Sequence, residues 1–149
     1  MKPNFVETAN YKAFLDGLVA LNARGSDECR LVVVDGQPGL GKTTILTRWA
    51  ALESCVFVRA KTDWDPKWML SEILENMKLT PPVGHEARFR ACVAGLVDRL
   101  KAAEVSGRQF AIVVDEADHV SRKAVLIDTL RDLADLVAVP VILVGMGKI

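Results

Sequence analysis

The eight residues Gly36-Gln37-Pro38-Gly39-Leu40-Gly41-Lys42-Thr43 follow the pattern G-x-x-x-x-G-K-[ST], and each type in that spacing meets one requirement for holding a polyphosphate. Glycines at 36, 39 and 41 allow a tight turn and a close approach of the main chain to phosphate oxygens. Successive amide groups, with a helix N-terminus behind them, make a nest of partial positive charge. Lys42 is expected to reach the β- and γ-phosphates, and the Thr43 hydroxyl to bind Mg²⁺. Pro38 stiffens the loop by presetting one φ angle, and Gln37, Leu40 and Thr44 complete the predicted nucleotide-binding stretch over 36–44. A Gly-Pro surface turn ahead of an ordinary helix is the bland alternative, and the flanking elements disfavour it.

A second group lies some seventy residues further on. Phe110-Ala111-Ile112-Val113-Val114 is an apolar run that ends in Asp115-Glu116-Ala117-Asp118. A carboxylate leaving the end of a buried strand beside a phosphate loop is a second holder of Mg²⁺, the role expected of Asp115. Glu116, one residue on, is expected to orient or deprotonate the water that attacks the γ-phosphate. Asp118 and Ser121 read better as helix N-caps than as site residues.

These groups need elements to position them. Leu31-Val32-Val33-Val34 is a β-branched run ending on Asp35, the pattern of a buried parallel strand. After the loop, Ile45, Leu46, Trp49, Ala50 and Leu52 recur at helical spacing, so the loop joins a strand to a helix. An N-terminal helix is expected at about 9–23, capped by Thr8 and ended near Gly25. A second strand, Cys55 to Ala60, leads through Asp63-Trp64-Asp65-Pro66 into a helix over 67–77. Thr80-Pro81-Pro82-Val83-Gly84 breaks the chain before a helix of about 86–103. The third strand carries Asp115 within 110–116, a helix is expected at about 120–136, and the fourth strand at 139–144. Strands alternating with helices over short connections indicate α/β architecture, a three-layer α/β/α sandwich on a mostly parallel sheet.

Composition frames these motifs. The chain has 149 residues, half of them hydrophobic, enough for one globular domain. No apolar run approaches a membrane span, and Met1-Lys2-Pro3-Asn4 lacks the form of a signal peptide, so a soluble, cytoplasmic protein without a membrane partner is expected. Cys29, Cys55 and Cys92 are odd in number and widely spaced, as for buried free thiols. His85 and His119 read as surface or cap residues. The formal net charge is zero, so any nucleic-acid binding must be local. Arg59 and Lys61, Arg88 and Arg90, and Arg122 with Lys123 are the basic residues that could form a patch. Arg88, Arg90, Arg99 and Lys101 share a stretch with Phe89, Cys92, Val93, Leu96, Val97 and Leu100 at i, i+3, i+4, i+7 spacing, which makes them the solvated side of an amphipathic helix.

The acidic residue directly after the Mg²⁺ carboxylate, in Val114-Asp115-Glu116-Ala117, resembles the ATPase branch of P-loop NTPases, and the loop 36–43 is similar to the AAA+ form. Phe5-Val6-Glu7-Thr8-Ala9-Asn10-Tyr11, Thr129-Leu130-Arg131-Asp132-Leu133 and Val139-Pro140-Val141-Ile142-Leu143-Val144-Gly145-Met146 resemble the transposition protein B group of Mu-like phages. The resemblance implies an AAA+ core with Walker A at 36–44 and Walker B at 110–116. It also implies ATP and Mg²⁺ as ligands, and ATP-dependent, sequence-independent assembly on duplex DNA as a filament or ring. That assembly would deliver target DNA to a transposase. Phe5 to Asn10 would lie near the adenine. Two departures from the pattern matter. Val144-Gly145-Met146 offers no polar γ-phosphate sensor at the end of the fourth strand. The sequence also reaches Ile149 before the fifth strand, the arginine finger and the helical lid, so a core incomplete at its C-terminus, with the lid domain absent, is expected. In the implied strand order 5-1-4-3-2 the first strand would then be an open edge. Without an arginine finger, worth about 10³ to 10⁵ in rate, hydrolysis by this chain is expected to be very slow. A regulatory nucleotide-binding module with no DNA role shares the same motifs, as does, less well, a helicase-type motor.

Overall fold

The computed structural model describes residues 31–35 and 42–145. Four strands, β1 (Leu31–Asp35), β2 (Val56–Arg59), β3 (Ile112–Asp115) and β4 (Val141–Gly145), make one sheet in the order β1-β4-β3-β2, with every pairing parallel. This is the implied 1-4-3-2 order. Five helices accompany them: α1 (Lys42–Glu53), α2 (Pro66–Asn76), α3 (His85–Ser106), α4 (Asp118–Ser121) and α5 (Ala124–Val137). The helix expected at 9–23 and loop positions 36–41 lie outside the described residues, as does Cys29.

Strands covered on both faces read as unbroken apolar runs, and β3 and β4 are buried along their whole length. One face of the sheet, with Val56, Val58, Ile112, Val114, Val141 and Leu143, packs against α2, α3 and α5. The other face sets Ala111, Val113, Ile142 and Val144 against Trp49 and Ala50 of α1. The result is the expected three layers, with α1 alone opposite the group of α2, α3 and α5 among the described residues.

Local chemistry ends the elements. Asp65 caps α2 by accepting the Trp68 amide at 2.8 Å, with Pro66 at the first helical position. Gly107, at φ 72°, closes α3 in the left-handed conformation that glycine tolerates best. The outer edge of β2 is covered by a side chain. The Asn76 amide donates to the Phe57 carbonyl at 2.8 Å, and its oxygen accepts the Phe57 amide at 3.4 Å. On the opposite margin β1 pairs with β4, and among the described residues no strand lies beyond it; Val33 is 50% exposed.

Several sequence expectations need correction. The single helix expected at about 120–136 is two, α4 and α5, separated at Arg122 and Lys123. Lys123 takes an extended conformation (φ −122°, ψ 104°), and its ammonium group donates to the carbonyls of Thr62 at 2.7 Å and Trp64 at 3.0 Å. Those two bonds tie the chain break to the loop after β2. Neither Asp118 nor Ser121 is an N-cap: α4 starts from Ala117 without a side-chain cap, and the Ser121 hydroxyl donates back to the Asp118 carbonyl at 3.2 Å. Arg99 is not simply solvated. It donates to the Met77 carbonyl at 2.9 Å, beyond the last turn of α2. Arg88 is only half exposed, with a buried Nε.

Candidate functional site

In a parallel sheet every strand delivers its C-terminal residue to the same edge, so β1, β2, β3 and β4 bring Asp35, Arg59, Asp115 and Gly145 to one side of the molecule. β1 ends at this edge, and the next described residues, Lys42, Thr43 and Thr44, begin α1. Asp115 ends β3, and β4 alone separates β3 from β1. At the usual spacing of neighbouring strands, β1 and β3 are about 10 Å apart. The strand that precedes the loop and the strand that carries Asp115 therefore end at a common edge. Gly36, Gln37, Pro38, Gly39, Leu40 and Gly41 lie outside the described residues.

Asp115 is held from several sides. Its carbonyl accepts the Ala60 amide at 2.9 Å, and its Oδ1 accepts the Glu116 amide, also at 2.9 Å. Its Oδ2 faces the Arg59 guanidinium, with Nε and Nη2 each at 3.4 Å. The side chain is only 7% exposed. A buried carboxylate needs a cation or hydrogen-bond donors around it. This one, a hard oxygen donor at a strand end already attended by a positive charge, fits Mg²⁺ in chemistry.

Glu116 differs in every respect. It is half exposed and bends the backbone into the left-handed region at φ 54°, which is uncommon outside glycine, asparagine and aspartate. The turn is locked on its far side by the Ala117 amide, which donates to the Val144 carbonyl at 2.9 Å. The bend aims the Glu116 carboxylate away from the sheet, between two basic side chains. Arg59 Nε is 3.9 Å from Oε2, and His119 Nε2 is 3.8 Å from Oε1. The other ring nitrogen of His119 is 3.5 Å from the Thr62 hydroxyl. A cavity of about 620 Å³ opens here, lined by Arg59, Lys61, Thr62, Trp68, Glu116 and His119.

Sequence reasoning missed Arg59 and His119 as site residues. Arg59 counted as a possible patch residue, but the β2–β3 register pairs it directly with Asp115. The available signal was its place at the end of a strand predicted to be parallel to the one carrying Asp115. His119 lies one helical turn after Glu116, a spacing that puts both on one side of a helix start. Lys61 is engaged elsewhere: its ammonium group contacts Glu72 at 2.8 Å and lies 5.8 Å and 5.9 Å from the ring centres of Trp64 and Trp68. Arg131 stays on the solvated side of α5, 3.6 Å from Asp128. No helix among the described residues is long and apolar enough to cross a membrane.

A parallel 1-4-3-2 sheet with an acidic pair at the end of β3 and a strand-to-helix connection at the end of β1 defines a nucleotide-binding α/β core. The chain belongs to the AAA domain family, whose model matches residues 24–149. It is also similar to the Mu-like prophage FluMu DNA transposition protein B of Haemophilus influenzae, with 28% identity over 147 residues that cover 99% of this chain and 47% of that protein. The chain thus spans about half the length of this curated relative.

Proposed function

We propose that this chain is the nucleotide-binding core of an ATP-dependent DNA-binding ATPase that supports DNA transposition by delivering target DNA to a transposase. The arrival of Asp115 and Glu116 at the sheet edge where β1 passes toward α1 is the observation that carries the nucleotide site. Similarity to a transposition protein B supports the DNA role.

In this reading residues 36–44 hold the phosphates. Lys42 compensates charge on the β- and γ-phosphates, and Thr43 and Asp115 hold Mg²⁺. Bound there, Mg²⁺ supplies charge neutralisation across the phosphate oxygens. Glu116 accepts a proton from the attacking water. Its half-exposed carboxylate and left-handed backbone support assigning it to water rather than to the metal. Self-association into a filament or ring belongs to the same reading, and the ATP-bound assembly would engage duplex DNA without sequence preference.

The test is the ATPase rate of the longer parent protein with and without duplex DNA, repeated across salt concentrations. Stimulation by DNA that weakens with salt is expected. A rate indifferent to DNA would overturn the transposition reading in favour of a regulatory nucleotide-binding module.

A further inference from the structure

We infer that Arg59 is a positioning residue that occupies Asp115 before a divalent cation does, so that its guanidinium sets how much divalent cation the nucleotide site requires. This rests on the reading of Asp115 as the metal-holding carboxylate.

The argument begins with register. Arg59 and Asp115 are paired positions at the ends of adjacent parallel strands, and the Ala60 amide locks the two chain ends together through the Asp115 carbonyl. The guanidinium therefore cannot avoid this carboxylate without turning its side chain outward. It directs Nε and Nη2 to the same oxygen, Oδ2, while Oδ1 is already taken by the Glu116 amide. Among the described residues, Arg59 is the cationic side chain at Asp115. Its approach to Glu116 is longer, 3.9 Å against 3.4 Å, and involves an exposed carboxylate, so its main partner is the buried one.

The contact is also built to be given up. Charge-assisted pairs between guanidinium and carboxylate usually close to about 2.7–2.9 Å, often with two oxygens engaged. This one is longer and falls on a single oxygen. Arg59 is half exposed and borders two open hollows, of about 460 Å³ and 620 Å³, so its side chain has room to leave. A divalent ion and a guanidinium cannot share Oδ2 without mutual repulsion. Entry of the ion at Asp115 must displace Arg59, and removal of Arg59 must favour the ion.

The experiment titrates Mg²⁺ against binding of a fluorescent ATP analogue to the wild-type chain, Arg59→Ala and Arg59→Lys. The half-saturating Mg²⁺ concentration should fall about 1.5- to fivefold in Arg59→Ala, the range expected for loss of a half-exposed ion pair. Arg59→Lys, which keeps the charge without the fork, should lie between and remains informative if the alanine variant fails to fold. A merely structural Arg59 would lower the melting temperature and leave the Mg²⁺ midpoint in place. An unchanged or higher midpoint overturns the inference. Should the wild-type chain bind no analogue with or without Mg²⁺, the proposed nucleotide site itself fails. The Arg59 Nε–H resonance then decides the matter on its own, because a shift saturating with Mg²⁺ alone supports displacement and an unmoved resonance overturns it.

Discussion

Glu116 adopts a backbone conformation that favours glycine while carrying the carboxylate proposed to act on the attacking water. A left-handed conformation in a residue of this type costs about 1 kcal/mol. Glu116→Gly should therefore raise the stability of the chain by about that amount, read by denaturant unfolding, while removing hydrolysis. Glu116→Gln retains the side-chain shape without a proton acceptor. It should keep ATP-analogue binding and reduce turnover by about 10²- to 10⁴-fold, the usual contribution of a general base. Loss of binding in Glu116→Gln would place the residue in ligand recognition instead. That two carboxylates stand at the end of β3 could be read from the sequence, because the apolar run and the residues that end it are contiguous. Arg59 was harder to read, since its pairing with Asp115 comes from the alignment of β2 with β3, which joins residues far apart in the chain.

Among the elements, the buried strands declared themselves through continuous apolar runs, and Asp65-Pro66 marked the start of α2; α3 runs on past the expected end at about 103, to the left-handed Gly107. The separation of α4 from α5 had no comparable local signal. It is drawn by the bonds from Lys123 to the carbonyls of Thr62 and Trp64, some sixty positions away, which outweigh the helical preference of the intervening residues. Lys123→Met keeps most of the stem but removes the donor. It should destabilise the chain by about 1–3 kcal/mol, the range for charged hydrogen bonds, with thermal unfolding as the measurement. A similar logic applies at β2. Asn76→Ala would strip the two bonds from Phe57, lower stability by about 1–2 kcal/mol and leave a strand edge able to pair with other chains. Light scattering during mild heating should show earlier self-association than in the wild type.

For the molecule as a whole, one response to alkali follows from Cys92, a free thiol of α3 packed against α2 and donating to the Leu70 carbonyl at 3.4 Å. Burial pushes this thiol up to about 12, from an ordinary value of 9.0. Between those limits the unfolded chain has released the proton and the folded chain retains it, so stability falls as pH rises, by up to about 1.4 kcal/mol per pH unit for this one group. Below pH 9 the contribution is complete. Cys92→Ala should flatten the alkaline limb of a stability–pH curve measured by urea unfolding, whatever it does to stability at neutral pH. In the native protein, alkylation of Cys92 should follow global unfolding rather than local exposure.

The amide of Asn76 closes one margin of the sheet with a side chain where another protein might have used a further strand. Subunits joining along that side would find no free backbone ladder to extend, and would have to meet through helix surfaces and loop tips. Such joints can be made and released by small rotations, without any sheet being torn.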